Sequence, residues 1–172
     1  LIMARVHLSL VASNFMLQIK SKYKIAKRLG AAIFEKTQTQ KFSLSEARTA
    51  KSSRRRRPPS DFGKQLLEKQ KARYTYGLLE RQFARYVQMA MDAAQPTNEL
   101  HRLLEQRLDS VVYRLGIATT RRAARQMVSH GHFMLNGRRM NIPSHQMRIG
   151  DVVTIREGSK GSALFAVIAE RE

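Results

Sequence analysis

Apolar positions recur at helical spacing through most of the chain and change to a period of two near its end. Leu79, Phe83, Tyr86, Val87 and Ala90 stand at offsets of 0, 4, 7, 8 and 11, one stripe of a helix expected over 78–94. Ahead of it the spacing predicts a helix over 61–75, with Phe62, Leu66 and Leu67 as its apolar part and Lys64, Lys69, Lys71 and Arg73 exposed. Ser60 or Asp61 offers its N-cap and Gly77 breaks it. At Gln95-Pro96-Thr97-Asn98, Pro96 is expected to end one helix and Thr97 or Asn98 to cap the next. Leu100, Leu103, Leu104, Leu108, Val111, Val112 and Leu115 then continue at spacings of 3, 4 or 1 as far as Gly116. A shorter helix follows, capped by Thr119 or Thr120, with Ala124, Met127 and Val128 inward and Gly131 closing it.

Beyond Gly131 the pattern is that of strands. Phe133-Met134-Leu135 and Arg138-Arg139-Met140 flank Asn136-Gly137, a dipeptide that supplies the positive φ angles of a tight hairpin turn. Gly150-Asp151 precedes another short strand over 152–155. Two helices followed by a small sheet, over about residues 98–157, make an α+β module. Residues 20–57 show little periodicity and are rich in Lys, Arg, Ser and Thr, the composition of a segment that cannot fold by itself and is either a solvated tail or, as the total charge favours, an arm that becomes ordered against nucleic acid. The expected organisation is a basic N-terminal extension over 1–59 (with Met16 a plausible start), a helical domain over 60–97, the α+β module over 98–157 and a short tail over 158–172.

Charge says what kind of partner to expect. The 172 residues hold 32 Lys+Arg against 13 Asp+Glu, a net +19. Residues 1–57 carry 14 basic and 2 acidic side chains, 58–97 carry 6 and 4, and 98–172 carry 12 and 7. An excess of this size calls for a polyanion. From residue 98 onward there are eleven Arg and a single Lys, and the planar guanidinium pairs bidentately with phosphate. Arg121 and Arg125, one helical turn apart, are expected to point outward from the short helix, with Arg122 beside them. His130, His132, Asn136, Arg138 and Arg139 would extend that surface if the hairpin packs next to the helix. Alanine at both Arg121 and Arg125 is expected to weaken RNA binding and spare the fold.

Other chemistries are poorly served. The absence of cysteine removes disulfides, thiol nucleophiles and thiolate metal sites. His130 and His132 have no third ligand at a sensible spacing, so no metal and no cofactor is expected. Glu105 and Asp109 could be paired carboxylates, but Arg102, Arg107 and Arg114 lie close by and ion pairing is the expected role. No phosphate-binding glycine loop or catalytic signature is present, and no apolar run reaches the length of a membrane-spanning helix. A surface that carries no base-reading code suits folded RNA better than a DNA operator, with Tyr23 or Tyr74 as a stacking platform.

Longer motifs give a family resemblance. Leu104-Glu105-Gln106-Arg107-Leu108-Asp109 through Val112-Tyr113-Arg114-Leu115-Gly116, then Thr120-Arg121, Ala124-Arg125-Gln126, His130-Gly131-His132, Asn136-Gly137 and Ile142-Pro143-Ser144 resemble the bacterial small-subunit ribosomal protein S-four (S4) family. The similarity takes in Ser60-Asp61-Phe62-Gly63, Glu68-Lys69-Gln70-Lys71, Tyr76-Gly77, Glu80-Arg81-Gln82-Phe83 and the stretch 20–30, so it spans most of residues 16–160. It implies a helical first domain and an α-L RNA-binding domain that together bind the 5′-domain junction of small-subunit ribosomal RNA and nucleate subunit assembly. It also implies a place in the cytoplasmic ribosome beside proteins S-three and S-five, near where messenger RNA enters, with an effect on decoding accuracy and no enzymatic activity. Carried over by match, Arg114, Thr120, Arg121, Arg125, His130, His132, Asn136 and Arg138 would form the α-L face, and Lys71, Arg73, Arg81 and Arg85 would serve from the helical domain. The run Arg54, Arg55, Arg56 and Arg57 would add phosphate contacts, in place of the family's usual Pro-Gly-Gln-His-Gly stretch. Having no cysteine, the chain resembles the zinc-free branch. Two other readings fit the sequence: a stand-alone α-L protein acting on ribosomal particles, against which the match over 60–90 counts, and a fragment of an α-L-containing RNA-modifying enzyme, which would need a catalytic domain.

Overall fold

A computed structural model describes residue 17 and residues 19–52 and 60–165. It divides into two compact units, Leu1–Phe83 and Ala84–Glu172.

In the first unit, α1 (Lys22–Leu29), a 3-10 turn (Glu35–Thr37) and α2 (Gln40–Ser52) precede α3 (Asp61–Thr75). The expectation that residues 20–57 become ordered only against a polyanion is corrected for their described part, which is ordered by packing together and with Tyr74 of the following helix. Ala26, Phe34 and Phe42 are buried, with Ile19, Ile25, Ile33 and Tyr74 packed against them. Aromatic bulk makes this small core sufficient: Tyr23 leans on Phe42 at 5.7 Å between centroids, and Phe34 meets Tyr74 edge-on at 6.4 Å. Thr37 seals the turn between them, its hydroxyl donating to the Phe34 carbonyl at 2.7 Å while accepting the Phe34 N–H at 3.2 Å.

Helix α3 spans the expected residues, and the Ser60 hydroxyl caps it by accepting the Gly63 N–H at 3.2 Å. Its apolar part is not core: no residue of α3 is buried, and Phe62 is 73% exposed. Leu78 and Phe83 are buried instead.

Helix α4 (Glu80–Met91) carries the division between the units and is shorter than the expected 78–94. The second unit continues with α5 (Pro96–Glu105), α6 (Leu108–Arg114), α7 (Arg121–Ser129), β1 (Phe133–Leu135), β2 (Arg138–Met140), β3 (Val153–Ile155), a single turn α8 (Glu157–Lys160) and a 3-10 turn (Ala163–Phe165). Pro96 opens α5 rather than ending a helix, because its fixed φ suits the first helical position, where no N–H partner is needed.

The single helix expected from Asn98 to Gly116 is broken at Gln106-Arg107. There the backbone leaves the helix to bond with the segment 143–147: the Leu108 N–H donates to the His145 carbonyl at 2.9 Å, and the Met147 N–H to the Gln106 carbonyl at 2.8 Å. Thr120 caps α7 by accepting the Ala123 N–H at 3.0 Å. The hairpin forms as expected, with Asn136 at φ 49 and Gly137 at φ 78. The sheet order is β2-β1-β3, both pairings antiparallel, with Phe133 opposite Met140 on one side and Ile155 on the other.

Leu108, Val112, Ala124, Val128 and Phe133 form the centre of this unit's core. The first part of the expected tail joins it: Phe165 is buried and meets both Phe133 and His132 edge-on. Phe133→Ala is expected to cost about 3–5 kcal/mol in urea unfolding, the range for emptying a buried aromatic site. Phe62→Ala is expected to stay within about 0.5 kcal/mol; equal losses at the two positions would contradict this packing.

Candidate nucleic-acid interface

The arginines of the second unit form two tiers. The lower tier is built on two carboxylates. Arg107, 2% exposed, grips Asp109 through Nε at 3.0 Å and Nη2 at 2.8 Å, and its Nη1 donates to the Tyr86 hydroxyl at 2.8 Å. A guanidinium in this position survives only because every face is answered, and the carboxylate and phenol hold its pKa above the ordinary arginine value despite the opposing effect of burial. Arg125 of α7 donates to the same Asp109 at 2.8 Å. Glu105 is shared likewise: Arg114 holds it with bonds of 2.8 and 2.9 Å, while Arg121 reaches it at 3.2 Å, donates to Ser110 at 3.3 Å and lies 4.6 Å from the centre of the Tyr113 ring. Glu105 and Asp109 thus serve ion pairing, though Arg102 pairs with Glu99 instead.

The expectation that Arg121 and Arg125 point outward is therefore corrected: their side chains are 17% and 13% exposed. Helical geometry accounts for it. At 100° per residue, Arg121 and Arg125 sit on the flank of the apolar stripe Ala124-Met127-Val128, facing α6, whereas Arg122, Gln126 and Ser129 lie opposite and are exposed. The outward guanidinium of α7 is Arg122, a position that the same wheel would have selected from sequence.

The upper tier consists of Arg122, Arg138 and Arg148, all exposed and with no carboxylate in salt-bridge range among the described residues. Arg148 and His145 lie in the irregular segment 141–152, where no periodicity marks a residue's direction, and sequence reasoning missed both. That segment is nonetheless held firmly. Asp151 accepts the Arg148 N–H at 2.7 Å and the Asn136 amide at 2.9 Å, bonds that keep its carboxyl below the usual carboxylate range. Asn136 in turn accepts the Val152 N–H at 2.8 Å, so its side chain is spent on the hairpin.

The other expected residues divide in the same way. Thr120 serves as a cap, while His130 is exposed and offers its carbonyl to Arg139 at 3.2 Å. That contact runs under Gly131, where a Cβ would come within 2.5 Å of Arg139 Nε. His132 is half-buried, its Nδ1 3.0 Å from the hydroxyl of the buried Ser159. Burial first, then the charges of His130, Arg156 and Arg139, holds its imidazole below the ordinary histidine value.

In the first unit Lys71 pairs with Glu68, and Arg73, 14% exposed, pairs with Glu80 at 3.4 Å over the Tyr74 ring. Tyr74 belongs to the core there, whereas Tyr23 is 45% exposed. Arg81 and Arg85 are exposed. Arg54, Arg55, Arg56 and Arg57 lie outside the described residues. Among the described residues no group of three or more His, Asp or Glu could hold a metal, and no helix is long and apolar enough to cross a membrane.

A family model described as ribosomal protein S4/S9 N-terminal domain matches residues 18–108, and one described as S4 domain matches residues 106–153. Small ribosomal subunit protein uS4 of Roseiflexus sp. is 50% identical over 145 residues, 83% of this chain and 70% of that protein. The uS4 proteins of Acidiphilium cryptum and Christiangramia forsetii are 48% and 47% identical, over 84% and 83% of this chain and 72% of each of theirs.

Two outcomes follow from the lower tier and the tail. Alanine at both Arg121 and Arg125 leaves Glu105 and Asp109 short of partners, so the fold is not spared: a loss of about 2 kcal/mol or more in urea unfolding is expected, against none if these side chains pointed to solvent. Because the pKa of His132 is lower folded than unfolded, the unfolded chain takes up its proton first as pH falls. The contribution is complete above about pH 6.5 and declines below it, and His132→Asn should flatten the pH dependence of the urea midpoint between pH 7.5 and 5.5.

Proposed function

Since the chain belongs to the ribosomal protein S4 family, we propose that it is a structural constituent of the small ribosomal subunit that binds small-subunit ribosomal RNA directly. The observation that carries this reading is the two-tier arrangement: Arg122, Arg138 and Arg148 have no carboxylate in salt-bridge range among the described residues, while Arg107, Arg114, Arg121 and Arg125 share Glu105 and Asp109, so the outer guanidiniums are left for phosphates. No base-specific pattern accompanies them, and recognition works through shape and backbone, as folded RNA requires.

Within that role the target is the 5′-domain junction, bound early so that assembly is nucleated. The α-L module over 98–157 supplies the upper-tier contacts and Lys71, Arg81, Arg85 and the run Arg54–Arg57 supply others. Arg121, Arg125, Arg114 and Thr120 act by positioning, since each is engaged within the unit. The neighbours are ribosomal proteins S-three and S-five and the messenger RNA as it enters, the contribution is to decoding accuracy, and the role is non-enzymatic.

The test is affinity of the full chain for the 5′-domain junction against an unrelated structured RNA of equal length, over a salt series. Tight junction-selective binding is expected, and alanine at both Arg85 and Arg122 should flatten the log–log salt slope by about two units while leaving the urea midpoint in place. Equal affinity for both RNAs would overturn the assembly role.

A further inference from the structure

Beside the hairpin lies an open groove of about 690 Å³, within the 300–1,000 Å³ range of small-molecule sites. Its walls combine three kinds of group. Leu135 and Met140 supply apolar surface, Arg138 and Arg148 supply guanidinium planes with no carboxylate in salt-bridge range among the described residues, and His145 supplies an imidazole whose ring has no hydrogen-bond partner among them. Gln146 braces the wall, its amide nitrogen donating to the Leu103 carbonyl at 3.1 Å. Asp151, the one carboxylate in the groove, is occupied by the Arg148 N–H and the Asn136 amide.

The groove is rigid where it matters. The bridge between Arg107 and Gln146, with the bonds from Leu108 to His145 and from Met147 to Gln106, ties its floor to the break between α5 and α6. A preformed site bounded by flat cations, an imidazole and a thioether is the environment in which an unpaired base stacks and its phosphate finds an arginine. A paired helix presents only backbone here and leaves the apolar floor uncovered.

We propose that this groove takes a single unpaired nucleotide of the RNA, the base lying over Met140 and His145 and the flanking phosphates on Arg138 and Arg148. The site thus reads a bulged or looped position in a target that is otherwise recognised by shape. This inference rests on the RNA-binding reading above and adds a subsite to it. An acidic peptide, the competing occupant, would satisfy the arginines and leave the stacking surfaces unused.

The experiment uses the full chain labelled at its methionine methyl groups, with the Met140 signal assigned through Met140→Leu. Titration with an unstructured RNA hexamer should move that signal. An abasic hexamer of equal charge, and a blunt duplex, should each bind the groove about tenfold more weakly, and alanine at both Arg138 and Arg148 should cost about as much for the intact hexamer. Equal response to intact and abasic strands, or displacement of the hexamer by an acidic peptide at equal concentration, would overturn the proposal. Selective binding of the 5′-domain junction with a silent Met140 would overturn the groove alone; failure of every RNA to bind would overturn the ribosomal reading with it.

Discussion

The second unit depends on the burial of one arginine. A guanidinium nine-tenths or more withdrawn from water is tolerable only with its charge and its donors satisfied, and Arg107 meets that demand by turning out of the helix toward Asp109 and the Tyr86 hydroxyl. The turn ends α5, starts α6 and exposes backbone groups that the segment 143–147 then occupies. Asp109, once drawn in, has room for a second partner, and Arg125 fastens α7 to it. Helix break, loop placement and helix packing are consequences of the same desolvation requirement.

Local chemistry was legible in the sequence. The Asn136-Gly137 turn, the Thr120 cap, the Ser60 cap and the extent of α3 each follow from one or two residues whose conformational preference has no competitor. What stayed hidden depends on partners distant in sequence. Spacing puts Arg121 and Arg125 on one face but does not say that Glu105 and Asp109 wait beside that face. A leucine pattern that runs unbroken through residues 100–115 hides the interruption at Arg107, because the groups that satisfy it, Tyr86 and the backbone of 143–147, are distant in sequence. The order of the segment 20–52 is not legible locally because its buried positions, Ala26, Leu29, Phe34, Thr37 and Phe42, are divided among short elements and its small core is completed by Tyr74 from outside the segment. Phe62, conversely, looked like core only because apolar side chains usually are.

The interface divides the same way. Its supporting residues sit in helices and motifs and drew notice for that reason, whereas His145 and Arg148 occupy an irregular stretch where sequence pattern carries no direction. Of the residues that the sequence singles out, Arg138 faces outward, Arg121 and Arg125 are engaged beneath the surface, and Arg114 is exposed but tied to Glu105. The family motif is thus as much a folding motif as a binding one.

The separation of tiers has a consequence for handling the protein in solution. Mobile ions screen exposed charges over about 8–10 Å at moderate ionic strength but hardly reach a pair such as Arg107 and Asp109, whose side chains are 2% and 5% exposed. Contacts made by the outer guanidiniums therefore weaken with added salt while the pairs that hold the unit together do not. Brine can strip a polyanion from this protein and return it with its shape intact, ready to be loaded again.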